Sequence, residues 1–326
     1  MHHLLRLIFL VVSVCWVTAC TQFTAVKPVN SAAADTLISQ QLIDGEDLLR
    51  DFKAISSVEF AGRKYNTAGN RKAQDYIIAQ LQESKIAPFN GQFKHPFDHA
   101  RGLSDYQGTN IIGYKPGTSN KFIVITAHFD HLGKKSGKTY LGADDNASGT
   151  AGVIHIAKAF SQIQTTHHLI YLFTDAEEEN LIGASAFAKE NPEIMERTVL
   201  NVNLDMIAGD RFTKRLYYLP YQVDMLTESN WQGQLAYFAK KNNLEIRKGP
   251  RAYQIIKGQK RKTNWRNASD HGIFYRHKIP FLYFGVGTHK NYHTPDDTFE
   301  NTNHAFYLAA VKTIFDQLHN FEQQIE

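Results

Sequence analysis

The sequence predicts an α/β fold in which a mixed, mostly parallel central sheet is flanked by helices, as a three-layer sandwich. Apolar runs such as Phe122–Thr126 are continuous rather than alternating, which is typical of strands buried on both faces of a parallel sheet. Segments with helical spacing of apolar residues separate these runs, so strand and helix alternate along the middle of the chain. Polar residues with metal-binding side chains follow several of the strands.

The composition indicates a globular protein with a large core. The chain has 326 residues, of which 43% are hydrophobic and 21% are charged. Its formal net charge of +4 is too small to indicate nucleic-acid binding. Its two cysteines, Cys15 and Cys20, both lie near the N terminus, so we expect no disulfide in the mature fold.

The N-terminal segment 1–19 resembles a bacterial lipoprotein signal peptide. Its apolar run, Leu7–Val17, is too short for a membrane span and is followed by the lipobox-like Val17–Cys20. This predicts cleavage before Cys20, a lipid on its thiol and a location in the bacterial cell envelope, periplasmic or facing the outer membrane. An ordinary signal peptide cut nearby is the alternative. Residues 20–43 then predict a flexible tether and linker.

The catalytic domain is expected to span residues 44–326. Helices are predicted after the N-caps Asp44 and Thr67 and over Ala147–Phe160, Leu181–Lys189 and His304–Phe321. Strands are predicted at Asn110–Tyr114, Lys121–Ala127, His168–Phe173, Val199–Leu204 and Pro280–Phe284. The first two strands are expected to be neighbours, joined by the turn at Pro116-Gly117.

Carboxylate or imidazole side chains follow four of the predicted strands. They are His128 and Asp130, Glu177 to Glu179, Asp205, and His293. Alone, each of these would indicate a helix cap, a solvated surface or a structural loop residue. Because open α/β sheets place ligands at the carboxyl ends of their strands, the joint arrangement instead predicts a divalent-metal site at that edge.

Here the chain resembles the zinc-dependent aminopeptidases with two co-catalytic metals, relatives of the secreted bacterial aminopeptidases and of glutaminyl cyclases. The matching segments, in family order, are Ala127–Asp130, Gly142–Gly149, Ala176–Glu178 with Gly183 beyond it, Asn203–Met206 and Tyr292–Pro295. Ala61–Arg63 and Ser269–Gly272 also match common family segments. The resemblance covers most of the mature chain and implies the zinc-exopeptidase, phosphorylase/hydrolase-like form of the predicted sandwich.

The resemblance implies two Zn²⁺ ions per chain, with Co²⁺ or Mn²⁺ as alternatives. His128 and Asp205 would hold one ion, and Glu178 and His293 the other. Asp145 would bridge both. Two such ions, about 3.5–4 Å apart, activate a water molecule and polarise the substrate carbonyl.

The resemblance also implies catalytic and supporting roles. Glu177 would be the general base, with the register among the three glutamates set by the spacing to Gly183. Asp130 would accept the free ring N–H of His128 and fix its tautomer. Tyr292 would either donate a hydrogen bond to the developing oxyanion or pack the loop.

Three further features are assigned structural roles. Asp144 is expected to shape the backbone beside Asp145, and Asp296 and Asp297 are expected to cap the following turn. The stretch Arg247–Arg266 is basic and without acidic residues. It is interpreted as a solvated excursion, with attraction to an anionic membrane surface or a preference for acidic substrates as alternatives.

The predicted function is aminopeptidase activity, the metal-dependent hydrolysis of N-terminal peptide bonds. The expected partners are peptide substrates and a bacterial membrane reached through the lipid on Cys20, with no nucleic acid and a monomeric chain. Two rivals remain: a glutaminyl cyclase or dipeptide carboxypeptidase on the same scaffold, and a non-catalytic binding module. The complete Gly142–Gly149 segment argues against the cyclase, and the complete ligand set with the general base argues against the binding module.

Overall fold

A computed structural model describes residues 37–101, 104–250, 253–256 and 259–325. The predicted signal peptide, Cys20 and most of the predicted tether lie outside the described residues. The strands are β1 (Ala87–Pro88), β2 (Lys94–Arg101), β3 (Ser104–Lys115), β4 (Phe122–His128), β5 (Gly133–Lys135), β6 (Lys138–Tyr140), β7 (His168–Thr174), β8 (Thr198–Leu204), β9 (Arg215–Tyr221), β10 (Glu245–Lys248), β11 (Tyr253–Ile256), β12 (Gln259–Lys262) and β13 (Phe281–Gly285).

The central sheet has the strand order β1-β3-β7-β4-β8-β13-β9-β10, and β2 pairs with β3. Strand β4 is parallel to its neighbours β7 and β8, and β13 is parallel to β8. On either side of this parallel centre, β3 is antiparallel to β7 and β9 is antiparallel to β13. The strands β5 and β6, and likewise β11 and β12, form separate hairpins. This mixed sheet, with a parallel centre, confirms the predicted α/β fold class.

Strand β4 shows why the central runs are apolar at every position. Side chains on a strand alternate between the two faces of the sheet. Ile123, Ile125 and Ala127 belong to one hydrophobic cluster, whereas Phe122 and Val124 belong to another on the opposite face. Every residue of this strand is buried, so both faces of the sheet are covered by other layers.

The helices supply those layers. They are α1 (Ser39–Leu42), α2 (Gly45–Ile55), α3 (Ala68–Glu83), α4 (Gly149–Phe160), α5 (Ile182–Glu190), α6 (Pro192–Arg197), α7 (Trp231–Lys241), α8 (His271–Arg276) and α9 (His304–Gln324). Helices α2, α3, α4, α7 and α9 pack into the larger cluster, and α5, α6 and α8 into the smaller one. Within the described part of the chain, no helix is both long enough and apolar enough to cross a membrane.

Helices α2 and α3 begin where predicted, but the folded unit starts earlier than expected. The carboxylate of Asp44 accepts two backbone N–H groups of the first turn of α2, and the hydroxyl of Thr67 caps α3. Helix α1 lies within the predicted linker. The backbone N–H and the hydroxyl of Ser39 both donate to Asp316, at 3.0 and 2.7 Å. The folded unit therefore begins at Leu37.

The expected pairing of the first two core strands is wrong, because β7 lies between β3 and β4. The Pro116-Gly117 turn does not close a hairpin; it packs on the chain that enters β7. The backbone N–H of Gly117 donates to the ring of His168, and a Cβ at this glycine would lie 2.2 Å from the carbonyl carbon of His167. An apolar strand that can be buried on both sides is thus inserted between two strands that are close in sequence.

Buried Arg63 links the end of α2 to the loop that precedes Asp145. Its guanidinium donates to the backbone carbonyls of Ile55, Phe129, Leu141 and Gly142, at 2.7 to 3.0 Å. Burial lowers its pKa to about 10, so the group stays protonated at neutral pH. The segment Ala61–Arg63, which matches a common family segment, therefore shapes a loop of the site.

Candidate metal centre

The predicted metal ligands meet at the carboxyl edge of the sheet, around a cavity of about 270 Å³. The five side chains that line it as expected are His128, Asp145, Glu178, Asp205 and His293. His128 ends β4, the next three ligands follow β7, β8 and β13, and Asp145 comes from the turn that precedes α4. Their order in the sheet explains why residues far apart in sequence meet here.

The first donor group consists of His128, Asp145 and Asp205. The Nε2 atom of His128 lies 3.4 Å from Asp145 Oδ1 and 3.5 Å from Asp205 Oδ1. Two ligand atoms at about 2.0–2.1 Å from a tetrahedral zinc ion are about 3.3 Å apart. These three side chains therefore have the spacing of ligands to a single ion, and they meet the distance requirement of a metal-binding group.

The second donor group shares Asp145 with the first. The Nε2 atom of His293 lies 3.0 Å from Asp145 Oδ2 and 3.3 Å from Glu178 Oε2. Oδ1 of Asp145 thus faces the first group and Oδ2 faces the second. A carboxylate that presents one oxygen to each of two donor groups has the arrangement of a bridging ligand.

The charge state and the unmet hydrogen bonds of these groups fit a divalent cation. Burial raises the pKa of Asp145, but the imidazoles around it outweigh burial and hold that pKa well below its usual range. The same balance lowers the pKa of Glu178 to about 2. Both groups are therefore carboxylates at neutral pH, as metal ligands must be. Among the described residues, Glu178 Oε1 and Asp205 Oδ1 are buried without a hydrogen-bond partner, which a metal ion would supply.

Glu177 lines the same cavity beside the ligand Glu178. Its half-buried carboxyl faces other acidic side chains, and desolvation raises its pKa well above the usual range. A carboxyl of this kind holds a proton more strongly than one in water, which suits a group that must accept a proton during a reaction.

The expected contact between Asp130 and His128 is made by a different atom. The carboxylate of Asp130 is 3.6 Å from Nδ1 of His128, whereas its backbone carbonyl oxygen is nearer, at 3.2 Å. The carboxylate instead accepts the backbone N–H of Glu177 at 3.0 Å and that of Glu178 at 3.4 Å. The chain bends after β4, so that the backbone carbonyl of Asp130 faces the ring of His128 and the carboxylate of Asp130 faces the loop after β7.

The expected role of Asp297 as the cap of its own turn is also wrong. Its carboxylate accepts the backbone N–H of Asp144 at 2.8 Å and that of Asp145 at 3.1 Å. Asp144 accepts in turn from the backbone N–H groups of Ala208 and Gly209, each at 2.8 Å. This confirms the structural role expected for Asp144. Asp297 holds the backbone of the bridging residue from about 150 positions away, a link with no local sequence signal.

Asp297→Asn is expected to weaken zinc binding by about 10–100-fold, the loss typical of removing an outer-shell partner of a ligand. The amide offers a single acceptor oxygen, so one of the two backbone N–H groups loses its partner. A competition titration with a zinc chelator measures the change. Exposed Asp296→Asn is the matched control, and equal zinc affinity in both variants would contradict this role for Asp297.

Three site segments have left-handed backbone at residues other than glycine. These are Ala176 (φ 55°), directly before Glu177; Met206 (φ 59°), directly after Asp205; and His293 itself (φ 55°). Such conformations cost on the order of 1–3 kcal/mol each and persist where the surrounding structure imposes them. Each of the three lies at or beside a proposed site residue: Glu177, Asp205 or His293.

Two tyrosines lie against the site. The Tyr292 ring stacks on that of His293, with centroids 3.8 Å apart, and burial raises its pKa strongly, so its hydroxyl keeps its proton. Tyr283 lines the same cavity, and its hydroxyl donates to the backbone carbonyl of Asp205 at 3.4 Å. Only Tyr292 could be singled out from the sequence, because Tyr283 lies inside an apolar strand.

His131 is a buried site residue that the sequence interpretation missed. Its Nδ1 lies 2.9 Å from Glu178 Oε1 and 3.7 Å from Asp145 Oδ2. It comes three residues after His128, and this His-x-x-His spacing was the signal for a second imidazole at the same strand end.

Known proteins with similar sequences include peptidases. The alkaline phosphatase isozyme conversion protein of Escherichia coli is 29% identical over 168 residues, which are 47% of this chain and 49% of that protein. A probable leucine aminopeptidase of Arthroderma otae is 25% identical over 318 residues, which are 89% of this chain and 77% of that protein. The chain thus spans about half of the first relative and most of the second.

Solved structures share the fold at lower identity. An aminopeptidase from Aneurinibacillus sp. strain AM-1 matches with a TM-score of 0.66 and 16% identity, covering 89% of this chain and 96% of that one. A zinc aminopeptidase from Bacillus subtilis gives a TM-score of 0.63 at 15% identity, with 87% and 98% covered. A glutaminyl cyclase from Porphyromonas gingivalis gives 0.66 at 16% identity, with 86% and 99% covered.

The family model described as peptidase family M28 matches residues 110–317, which is more than half of the chain. This match begins in β3, ends within α9 and includes all five predicted metal ligands. It agrees with the resemblance seen in the sequence motifs and with the fold of the solved zinc aminopeptidases. This chain belongs to peptidase family M28.

Proposed function

We propose that this chain is a zinc-dependent aminopeptidase with two metal positions. The observation that carries the proposal is the placement of Asp145 between two donor groups, with Oδ1 facing His128 and Oδ2 facing His293. The ligand assignment is the predicted one: His128 and Asp205 at one position, Glu178 and His293 at the other. When bound, the two zinc ions polarise the substrate carbonyl and lower the pKa of a water molecule.

Glu177 is the proposed general base. As the water oxygen forms its bond to the carbonyl carbon, Glu177 takes the proton from the water. The same carboxyl then gives this proton to the departing nitrogen as the carbon–nitrogen bond breaks, leaving a free amino acid and a shortened peptide. The carboxylate of Asp130 supports this role by holding the backbone N–H of Glu177 at 3.0 Å.

Tyr292 is the proposed hydrogen-bond donor to the oxygen of the carbonyl under attack. Because its pKa is raised by burial, its hydroxyl keeps a proton to donate as negative charge develops on that oxygen. Stacking on His293 fixes the direction of its ring. The hydroxyl therefore acts from a side chain whose position is set by a proposed metal ligand.

The lining of the cavity supports binding of one apolar side chain beside the metal ligands. The volume of the cavity is about 270 Å³. Met206, Trp265 and Tyr283 contribute to its lining, so it offers an apolar surface to one side chain. Several relatives are named as aminopeptidases, among them a probable leucine aminopeptidase, which agrees with removal of a single N-terminal residue.

Glutaminyl cyclase activity is the second candidate, because a cyclase has the same fold with a TM-score of 0.66. The two activities differ in whether water or the peptide's own α-amine attacks. The completeness of the second donor group and the bridging placement of Asp145 favour the hydrolase.

A panel of peptides tests this choice. We expect zinc-loaded protein to release single residues from peptides with a free N terminus and to leave the acetylated versions intact. Mass spectrometry identifies the product of each reaction. Cleavage of blocked peptides, or loss of ammonia from N-terminal glutamine without release of residues, would contradict the aminopeptidase assignment.

We also propose that the mature chain is lipid-anchored in a bacterial cell envelope, as Val17–Cys20 predicts. Wild-type protein expressed in a bacterium is expected to partition into the detergent phase with lipid on Cys20, whereas Cys20→Ser should stay in the aqueous phase. Phase separation followed by mass spectrometry of the N-terminal peptide measures both. Cys15→Ser is the matched control, because Cys15 lies in the segment removed by the predicted cleavage. A wild-type protein that carries no lipid and is as soluble as Cys20→Ser would contradict the lipobox assignment.

A further inference from the structure

We propose that His131 is a sixth protein ligand of the metal centre and binds, through Nδ1, the ion held by Glu178 and His293. This inference rests on the proposed function and adds to it a difference between the two metal positions. It comes from the placement of a buried imidazole that the predicted ligand set does not include.

Distances place His131 beside two of the three donors of the second position. Its Nδ1 lies 2.9 Å from Glu178 Oε1 and 3.7 Å from Asp145 Oδ2. These values lie on either side of the roughly 3.3 Å expected between two ligand atoms of a tetrahedral zinc ion. His131, Asp145 and Glu178 also meet the distance requirement of a metal-binding group on their own.

The environment of the ring favours a metal bond over a hydrogen bond. The side chain of His131 is fully buried, and neither ring nitrogen has a hydrogen-bond partner of acceptable geometry among the described residues. Glu178 Oε1, the nearest acceptor, is itself without one. Buried polar atoms are nearly always hydrogen-bonded, so two groups that face each other at 2.9 Å without hydrogen-bond geometry point to an ion that binds both.

Gly142 leaves room for this ring. A Cβ at Gly142 would lie 2.4 Å from Cγ and 2.5 Å from Cδ2 of His131, closer than any side chain allows. The glycine has φ of +60°, and its carbonyl is held by Arg63 at 2.8 Å. The loop before Asp145 is thus built to let the imidazole approach the metal centre.

Four protein ligands at one position make the two positions unequal. The second position would hold its ion with Asp145, Glu178, His293 and His131, a closed set typical of tightly held zinc. The first position has His128, Asp145 and Asp205, which leaves a coordination place free, as catalytic zinc sites do. The open coordination place therefore belongs to the position held by His128.

Cadmium substitution with isotope-labelled histidine tests the claim directly. Protein labelled with ¹⁵N-histidine and loaded with ¹¹³Cd is expected to show cadmium–nitrogen coupling for three imidazoles, and His131→Asn should remove one of the three. Asparagine retains a group able to donate a hydrogen bond to Glu178, so it separates metal binding from simple positioning of that carboxylate. We also expect His131→Asn to weaken the tighter zinc ion by at least about 10–100-fold, the loss seen even for outer-shell partners.

His155→Asn is the matched control, because His155 is also buried but pairs with Asp51 at 2.8 Å, away from the metal groups. It should retain all three couplings. Coupling from only His128 and His293 in the wild type would overturn this inference and leave the metal centre standing. Cadmium-loaded wild type without coupling from either of those two would instead contradict the proposed function.

Discussion

Glu177→Gln is expected to lower kcat for peptide hydrolysis by about 10²–10⁴-fold while both zinc ions remain bound. Glutamine keeps the size of the side chain but cannot take a proton from water. KM should change little, because the base acts in the transition state more than in substrate binding. Steady-state kinetics with metal analysis on the same sample measures all three quantities.

Glu178→Gln is the matched comparison, since it makes the same chemical change at the adjacent residue. Its carboxylate lies 3.3 Å from His293 and contributes to the proposed metal position, so this variant should lose zinc. Added zinc should restore part of its activity. If Glu178→Gln binds its metal fully but is inactive, Glu178 is the general base and Glu179 the metal ligand. Full activity in both variants would contradict the hydrolytic mechanism.

Asp145→Ala is expected to lower zinc affinity at both positions by more than about 100-fold, the upper end of the loss caused by removing only an outer-shell partner. Its two oxygens face His128 and His293, so a single substitution affects both donor groups. His293→Ala is the matched variant and should weaken mainly one ion. Mass spectrometry of metal content after gel filtration measures the stoichiometry.

The outcome that would contradict the bridging role is specific. Asp145→Ala that still binds one zinc ion as tightly as the wild type would place Asp145 at a single position. Circular dichroism must show a folded protein in each case, because Asp145 also lies in the buried turn that leads into α4.

The site was predictable to the extent that its residues follow strands directly. His128 ends β4 and Asp205 follows β8. The continuous apolar runs reveal such strands, and parallel strands bring their carboxyl ends together. Glu178 and His293 lie farther from their strands. The choice of ligands among the side chains at this edge, and the ion that each would hold, came for all of them from the family resemblance and not from periodicity.

Contacts between distant segments were the part that the sequence could not reveal. The hydrogen bonds from Asp144 and Asp145 to Asp297 join loops that no local pattern connects. The insertion of β7 between β3 and β4 is another such feature, because a Pro-Gly turn indicates a change of direction but not which strand pairs next. His131 was missed for a different reason: a histidine in a loop is usually structural, and its spacing from His128 was the one sequence signal that it lies at the same strand end.

Zinc reconstitution of the metal-free protein tests the central claim most directly. Release of N-terminal residues from an unblocked peptide should be absent without metal and should rise until two zinc ions are bound per chain. Activity that is complete at one ion per chain, or that persists in metal-free protein, would contradict a two-metal aminopeptidase.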